Sequence, residues 1–408
     1  MAWDPDKLRA SFPALALEVG GRPAMFLDGP AGSQVPVSVI EAMNLALVQA
    51  NANLGGHFAT SVACERLMNE AHGRVAEFLG ASDPGEVVFG ANMTTLTLAL
   101  ARAMARTWSA DDEIVVTRME HDANYTPWVQ AAQDAGARLR HIDVRPEDCT
   151  LDLAGLDAVL NERTRLVALG AASNMVGTIN PVAEIAARAH EVGALVFVDA
   201  VHYAAHRPID VEAWDADFVA CSAYKFFGPH VGILWGRRRW LEGLPVYKLR
   251  PASDQLPDRW MTGTQNHEGI VGTVAAIEHI AGLGARGTTG RERILSAFGA
   301  IGAYERDLSE RLIAGLREID GIRVWGITDP ARFDERVPTL SITHDRHTPV
   351  DIARRLGEQG IFVWHGNYYA LPLSEALGLE PEGTVRIGLL HYNTNAEVDR
   401  LLQTMRDF

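Results

Sequence analysis

The sequence predicts an α/β fold, in which a large domain with a seven-stranded, mainly parallel sheet between helices precedes a smaller α+β domain. The first observation is a series of short apolar runs between residues 86 and 235, without the polar alternation of half-exposed strands. The second is that helical patterns separate several of these runs, which indicates parallel strands with helical crossovers. The third is a change after about residue 275, where a long helical pattern precedes widely spaced strands.

The large domain is expected to span residues 20–275. Its last strand follows the previous one too closely for a helical crossover, so we expect it to run antiparallel. The predicted strands are Glu86–Phe89, Glu113–Thr117, Arg138–Ile142, Leu166–Gly170, Leu195–Asp199, Asp217–Cys221 and Gly232–Trp235. The predicted helices are Pro36–Asn51, Ala63–Leu79, Thr94–Arg106, Pro127–Ala135, Leu153–Leu160 and Pro181–Val192.

The smaller domain is expected to span residues 276–408. Its pattern of one long helix, several strands and a closing helix is typical of an α+β unit. The predicted elements are helix Arg291–Glu318, strands Ile322–Trp325, Thr339–Thr343, Ile361–Trp364 and Thr384–Gly388, and helix Ala396–Arg406. Before the large domain, the sequence predicts a short helix over Pro5–Ser11, and the domain itself opens with a strand over Ala24–Leu27.

The composition excludes several classes of protein. A net charge of −15 argues against nucleic acid as the main partner. The apolar runs are too short to span a bilayer, and the first residues lack the pattern of a signal peptide, so we expect a cytoplasmic protein without a membrane partner. The three cysteines, Cys64, Cys149 and Cys221, have neither metal-ligand nor CxxC spacing, so we expect no metal.

A carboxylate and a lysine each follow a predicted buried strand. Asp199 ends one apolar run, and Lys225 lies just past the next. In open α/β sheets, ligands bind at the carboxyl ends of the strands. A carboxylate for a protonated ring nitrogen and a lysine for a Schiff base are the pair that pyridoxal 5'-phosphate (PLP) requires. A structural ion pair would give the same spacing, so the spacing alone leaves both interpretations open.

The stretch DAVHYAAHRPIDV, followed by DFVACSAYKFFGP, resembles the cofactor strand and lysine loop of the cysteine desulfurase and selenocysteine lyase family. These are class V aminotransferase-like enzymes of PLP fold type I, and the resemblance extends in order over nearly the whole chain. It implies PLP as the cofactor, an α-amino acid as the substrate and a homodimer with shared active sites. It also implies that residues 1–19 pack on the smaller domain.

The resemblance assigns residues to the phosphate of PLP. Met93 and Thr94 lie in a stretch that resembles the family's phosphate loop, although Asn and Thr there are also typical of a helix N-cap. Ser222 matches a second phosphate hydroxyl, and Thr264 matches a residue that reaches the phosphate of the neighbouring subunit. Tyr224 replaces the histidine that usually precedes the lysine, which puts that contact in question.

The resemblance also assigns residues to the ring and to the substrate bond. His121, in the motif MEHDANYTPW, is expected to stack on the ring and to relay protons at Cα. Asn174 and His202 are expected near the phenolic oxygen, and Asp199 at the ring nitrogen. Lys225 would form the Schiff base and then act as the general base.

The substrate side departs from the family pattern. Arg386 matches the arginine that binds a substrate carboxylate, for which a guanidinium is well suited. Tyr369, however, stands where desulfurases carry the cysteine that accepts sulfur, and a tyrosine cannot hold a persulfide. We therefore expect Tyr368, Tyr369 and His365 to act as acids or as walls of the substrate pocket, with His57 and Trp128 lining the same cleft. Two adjacent tyrosines near a tryptophan are equally typical of an aromatic lid without a chemical role, so both interpretations stay open.

The resulting prediction is a lyase that cleaves a Cβ–S or similar bond without a catalytic cysteine. An aminotransferase is the nearest alternative and an epimerase the next, because the sequence does not distinguish a leaving-group acid, a keto-acid acceptor and a second base. A non-catalytic scaffold on the same fold is the alternative outside enzymes. A nicotinamide-binding fold is excluded because no G-x-G-x-x-G follows the early strands.

Overall fold

The computed structural model describes residues 3–408 and confirms the α/β fold with a seven-stranded mixed sheet. Its strands are β1 Val87–Gly90, β2 Glu113–Thr117, β3 Arg138–Ile142, β4 Thr164–Gly170, β5 Leu195–Asp199, β6 Phe218–Ser222 and β7 Gly232–Gly236. They lie in the order β1-β7-β6-β5-β4-β2-β3, and β7 is antiparallel to both of its neighbours, as expected.

The central strands are apolar throughout because both faces of the sheet are covered. In β5, Val196 and Val198 pack into the core on one face, and Phe197 packs into a second core on the other. In β6, Val219 packs into the first of these cores and Phe218 into the second. Successive residues of a strand point to opposite faces, so a strand between two helix layers needs apolar residues at every position.

The longer helices are α1 Val37–Gln49, α2 Ala59–Leu79, α3 Met93–Ala105, α4 Thr126–Ala135, α5 Val182–Glu191, α6 His267–Gly282, α7 Gly290–Arg317, α8 Pro349–Glu358 and α9 Asn395–Met405. The sequence did not predict α6, whose glycines and β-branched residues have low helix propensity. Packing against α1, α2 and α7 stabilises it instead. The predicted domain boundary at residue 275 lies inside this helix, so the division of the chain stays a prediction.

Two other predicted elements are divided in the structure. The helix predicted over Leu153–Leu160 is a 3-10 turn, Leu153–Gly155, followed by the one-turn helix Leu156–Val159. The strand predicted over Ile361–Trp364 is wrong as a single strand, because its two ends pair with different partners. Ile361–Phe362 pairs in parallel with Met25–Phe26, and the chain then enters a second sheet.

The second sheet is antiparallel and lies in the C-terminal part of the chain. Its strands are β8 Ile322–Trp325, β9 Thr339–His344, β10 Trp364–Gly366 and β11 Thr384–Gly388, in the order β8-β9-β11-β10. Apolar residues of this sheet form a third core with helices α7 and α9. Within residues 3–408, no helix is both long enough and apolar enough to cross a membrane.

Candidate active site

Asp199 and Lys225 lie at the carboxyl edge of the large sheet. Asp199 is the last residue of β5, and Lys225 closes the 3-10 turn that follows β6. The Asp199 carboxylate accepts a hydrogen bond from the Val201 amide at 2.8 Å. The Lys225 amine donates to the Pro30 carbonyl, in the loop after the strand Met25–Phe26.

Burial moves the pKa values of both groups. It raises the pKa of the Asp199 carboxyl to about 6, and the Val201 amide and Lys225 oppose this shift. It lowers the pKa of the Lys225 amine to about 7, an effect that Arg386 reinforces and Asp199 opposes. At neutral pH the carboxyl is therefore mostly ionised, whereas much of the lysine is unprotonated.

An inner cavity of about 590 Å³ opens in front of these two side chains. Helix α3 begins at one end of this cavity, and the loops after β2, β4, β5 and β6 form its walls. Of the residues that the sequence assigns to the cofactor, all except Thr264 line it: Met93, Thr94, His121, Asn174, Asp199, His202, Ser222 and Lys225.

The N-terminus of α3 and the end of β6 meet at this cavity. Asn92 caps α3 through a bond from the Thr95 amide at 2.9 Å, and the Met93 amide donates to the Ser222 hydroxyl at 3.0 Å. A Cβ on Gly232 would lie 2.3 Å from the Asn92 carbonyl carbon, so glycine permits this close approach. The Met93 side chain is buried in the core, so a phosphate would reach this residue only through its amide, in place of the bond to Ser222.

His121 is held as a neutral imidazole. Its Nδ1 accepts a hydrogen bond from the Ala123 amide at 3.0 Å, so the proton of the neutral ring is on Nε2. Burial, together with the positive charges of Lys225 and Arg386, lowers the pKa of His121 to about 4. His121 is therefore an N–H donor at neutral pH and carries no charge.

Asn174 and His202 also line the inner cavity. The Asn174 amide donates to the Tyr368 carbonyl at 3.0 Å, and its Oδ1 is buried without a partner among residues 3–408. The His202 Nε2 lies 3.0 Å from the Thr339 hydroxyl, and burial lowers the pKa of this ring well below its usual value. A buried polar atom without a partner is rare and indicates a place for a ligand atom.

An outer cavity of about 850 Å³ adjoins the inner one at Lys225 and His121. Arg386 lies in its wall, with its guanidinium 4.2 Å from the centroid of the Tyr368 ring and bonded to the Asn174 carbonyl at 2.9 Å. Burial lowers the pKa of Arg386 to about 10, so it stays charged at neutral pH.

Tyr369 and His365 also line the outer cavity. The Tyr369 ring is 71% exposed and stacks on the His121 ring, with 5.6 Å between centroids and 24° between planes. The Tyr369 carbonyl accepts a bond from the Asp122 amide at 2.6 Å, which fixes this loop beside His121.

Two expectations for the substrate pocket need correction. Trp128 is fully buried, donates to Asn124 at 2.9 Å and packs on Phe197, so placing it in the cleft was wrong. The resemblance gave its position in the chain, but the side chain points from α4 into the core. His57 is exposed just before α2 and lines neither the inner nor the outer cavity of its own chain.

Thr264 lines neither the inner nor the outer cavity. It lines a third cavity of about 490 Å³, together with Gly90, Arg102 and Gln265. Its expected contact with a neighbouring subunit therefore stays a prediction.

The sequence did not assign two residues that shape the inner cavity. Glu120 is buried and bonds to Thr117, to Asn124 and to the Gly170 amide, which ties the loop before His121 to β4, and burial raises its pKa to about 8. His230 lines the cavity, and its ring stacks on Tyr224 with 5.2 Å between centroids. Its position two residues before β7, after a Gly-Pro pair, is the signal that could have indicated it.

A lysine and a carboxylate beside a helix N-terminus, at the edge of an α/β sheet, define a PLP-dependent enzyme. A family model described as "Aminotransferase class-V" matches residues 25–401, and the chain belongs to this family. Among curated relatives, a "Probable cysteine desulfurase" of Streptomyces coelicolor is 35% identical, over 99% of this chain and 98% of the relative. A "Cysteine desulfurase" of Dickeya dadantii is 32% identical, over 97% of this chain and 95% of the relative.

Solved structures agree with this family. The apo cysteine desulfurase of Thermococcus onnurineus NA1 superposes with a TM-score of 0.88 at 28% identity, over 99% of this chain and 97% of that one. A lysine-to-alanine variant of C-DES, with glycine covalently linked to its PLP, has the same fold. It superposes with a TM-score of 0.81 at 21% identity, over 98% of this chain and 99% of that one.

The residues of the inner cavity fit PLP. The charged carboxylate of Asp199 suits a protonated ring nitrogen, and the partly unprotonated amine of Lys225 suits the carbonyl carbon. The amide groups at the start of α3 suit a phosphate. The unpartnered oxygen of Asn174 marks where a further ligand atom would lie. The assignment of each residue to each atom of PLP stays a prediction.

Proposed function

We propose that this PLP-dependent enzyme is a lyase that cleaves a Cβ–S or similar bond of an α-amino acid without forming a persulfide. The observation that carries the proposal is that Tyr369, and no cysteine, stands beside His121 at the outer cavity. The three cysteines, Cys64, Cys149 and Cys221, are buried and line neither cavity. A phenol cannot accept a sulfane sulfur, but it can donate a proton to a departing thiolate.

Four side chains would divide the work. When bound, PLP supplies an electron sink for the bonds at the substrate Cα. Arg386 binds the α-carboxylate and thereby orients Cα toward Lys225. Because burial lowers the pKa of Lys225 to about 7, its amine can take the Cα proton at neutral pH. Asp199, whose pKa is about 6, is mostly ionised at that pH and holds the proton on the ring nitrogen. Tyr369 protonates the leaving sulfur.

The proposal is tested by product analysis with S-substituted cysteines. A lyase converts such a substrate and water into a thiol, pyruvate and ammonium in equal amounts. An aminotransferase would instead produce a keto acid that keeps the sulfur substituent, and an epimerase would produce the mirror-image amino acid. Either of these products, without thiol release, would contradict the proposal.

A cysteine-free variant separates this lyase from a desulfurase. In the triple variant Cys64→Ala, Cys149→Ala, Cys221→Ala, we expect thiol release to stay within about twofold of the parent rate, because no cysteine takes part in the reaction. Circular dichroism and the melting temperature control for folding, since all three side chains are buried. A well-folded triple variant without activity would favour desulfuration through a cysteine.

We also propose that the functional unit is a homodimer. Support comes from exposed apolar side chains concentrated in and after α1, a feature of association surfaces. This α1 patch comprises Val37, Ile40, Leu45, Leu47, Val48, Leu54, Phe58 and Val62. In ultracentrifugation we expect a dimer for the parent protein and a shift toward monomer for Val48→Asp. A monomeric parent protein that binds PLP fully would contradict both the dimer and the expected role of Thr264 across its interface.

A further inference from the structure

The outer cavity is much larger than a substrate of the size of cysteine requires. At about 850 Å³ it falls in the range of pockets that enclose drug-sized ligands. The inner cavity, which adjoins the outer one at Lys225 and His121, has room for the cofactor, so most of the outer volume is left to the substrate. A small amino acid held at Arg386 would leave most of this space to water.

An exposed tryptophan lies beside the arginine that would bind the substrate. Trp364 of β10 pairs directly with Arg386 of β11 in the antiparallel sheet, and directly paired residues project from the same face. Among residues 3–408, Trp364 is the one tryptophan with a largely exposed side chain, at 52%. Trp128 and Trp235, in contrast, are fully buried. An indole in a cavity wall offers a large stacking surface to a ligand.

The other walls of the outer cavity combine apolar and aromatic side chains with polar ones, among them Asp122, Gln130 and Asn367, and Asp122 adds a negative charge. Leu98 of α3 and Pro127 of α4 line the cavity, and the exposed ring of Tyr369 adds a second aromatic surface. Among the described lining residues, Lys225 and Arg386 are the cations, and both serve the reacting end of the substrate. A second carboxylate on the substrate would therefore find no further positive side chain in this part of the chain.

We propose that the natural substrate is an α-amino acid with a large, uncharged aromatic substituent that stacks on Trp364 beyond the α-carboxylate. Within the lyase reaction, this substituent is the group attached to sulfur, so the leaving group is an aromatic thiol. The inference rests on the proposed function in one respect, the binding of an α-amino acid at Arg386.

The first test measures affinity in the holoenzyme. The protein is titrated with L-alanine, S-methyl-L-cysteine, L-phenylalanine and S-benzyl-L-cysteine, and dissociation constants are read from the cofactor absorbance. We expect the two aromatic compounds to bind at least about tenfold more tightly than the two small ones. Equal affinities would overturn the aromatic preference and leave the proposed function intact. A spectrum that none of the four changes would overturn both.

The second test assigns the preference to Trp364. In Trp364→Ala, we expect the ratio of the S-methyl to the S-benzyl dissociation constant to fall about tenfold, because the stacking surface is lost. The matched variant Trp364→Phe keeps an aromatic ring and should retain most of the ratio. The position is half-exposed, so both variants are expected to fold. An unchanged ratio in Trp364→Ala would overturn the assignment.

Discussion

The two cavities that meet at Lys225 are built differently. The inner cavity lies at the ends of strands and at the start of a long helix, and many of its polar side chains are buried and bonded to backbone groups or to residues of adjoining segments. One wall of the outer cavity is the segment 364–369, where Trp364 and Tyr369 are exposed. In this segment Tyr368 and Tyr369 have φ values of 55° and 60°, a left-handed conformation that is uncommon for residues other than glycine.

This difference explains which half of the site keeps the family pattern. A change to one buried, bonded group of the inner cavity leaves its partners unsatisfied, which is costly. A change on the exposed wall of the outer cavity costs little stability but alters what can bind there. Backbone strain at two adjacent tyrosines also indicates that this wall is held in place for function. We therefore expect substitutions in the inner cavity to affect chemistry and those in the outer cavity, apart from the proposed acid Tyr369, to affect substrate affinity.

The largest effect is expected at the junction of the two cavities. Lys225→Ala removes both the attachment point for PLP and the proposed base, so turnover should fall at least about 10⁴-fold. The measurement is product release under substrate saturation, together with borohydride reduction and mass spectrometry to locate the cofactor. The control is Lys248→Ala, because Lys248 pairs with Asp254 outside both cavities. Full activity in Lys225→Ala would contradict the role of Lys225 as attachment point and base, and with it the placement of the reaction where the two cavities meet.

The second effect belongs to the inner cavity alone. Asp199→Asn keeps an acceptor for the Val201 amide but removes the charge that holds the ring-nitrogen proton, so turnover should fall about 10²–10³-fold. Affinity for PLP, followed by fluorescence titration, should change much less. Asp215→Asn is the control, since Asp215 is exposed and its positive φ suits asparagine. An unchanged rate in Asp199→Asn would show that this carboxylate does not act on the ring.

The sequence predicted the inner cavity better than the outer one for a physical reason. Asp199 and Lys225 follow apolar runs whose ends can be located in the sequence, and neighbouring parallel strands bring such ends together. Trp128 was misplaced because a motif gives the position of a residue but not the direction of its side chain. The burial that raises the pKa of Glu120 comes from packing between distant segments, which no local pattern in the sequence encodes.

Element types were predictable where a local pattern determines them. Strands β2 and β5 have the predicted bounds because an apolar run between two helix layers permits one arrangement, whereas β3, which also has its predicted bounds, is a partly exposed strand at the sheet edge. Helix α6 was missed because tertiary contacts override its weak propensity. The segment 361–366 was misread because its two halves pair with Phe26 and Arg386, and the choice of partner depends on the whole chain.

A third prediction concerns pH and again addresses the inner cavity. In the cofactor-free protein, the rate of acylation of Lys225 by an amine-selective reagent should rise about tenfold between pH 6 and 8 and then level off, because only the unprotonated amine reacts and its pKa is about 7. The rate is read by mass spectrometry of the peptide that contains Lys225. In the urea-unfolded protein the same lysine should keep gaining reactivity up to about pH 10. Identical profiles in the two states would contradict the effect of burial.

The smallest effect is expected in the outer cavity. The Tyr368 hydroxyl bonds to the Thr384 carbonyl and lies 3.0 Å from the Thr384 hydroxyl, and its ring lies under Arg386. Tyr368→Phe keeps the ring but removes the hydroxyl, which costs about 1 kcal/mol and loosens the wall that positions Arg386. We therefore expect KM to rise about fivefold while the dissociation constant of PLP stays the same.

The matched control for this variant is Tyr247→Phe, because Tyr247 is exposed and lines neither the inner nor the outer cavity. Steady-state kinetics and a PLP titration on both variants separate substrate affinity from cofactor affinity. If Tyr368→Phe weakened PLP binding as much as it raised KM, the two cavities would act as one unit. The exposed wall would then be part of the cofactor site and could not be altered independently of it.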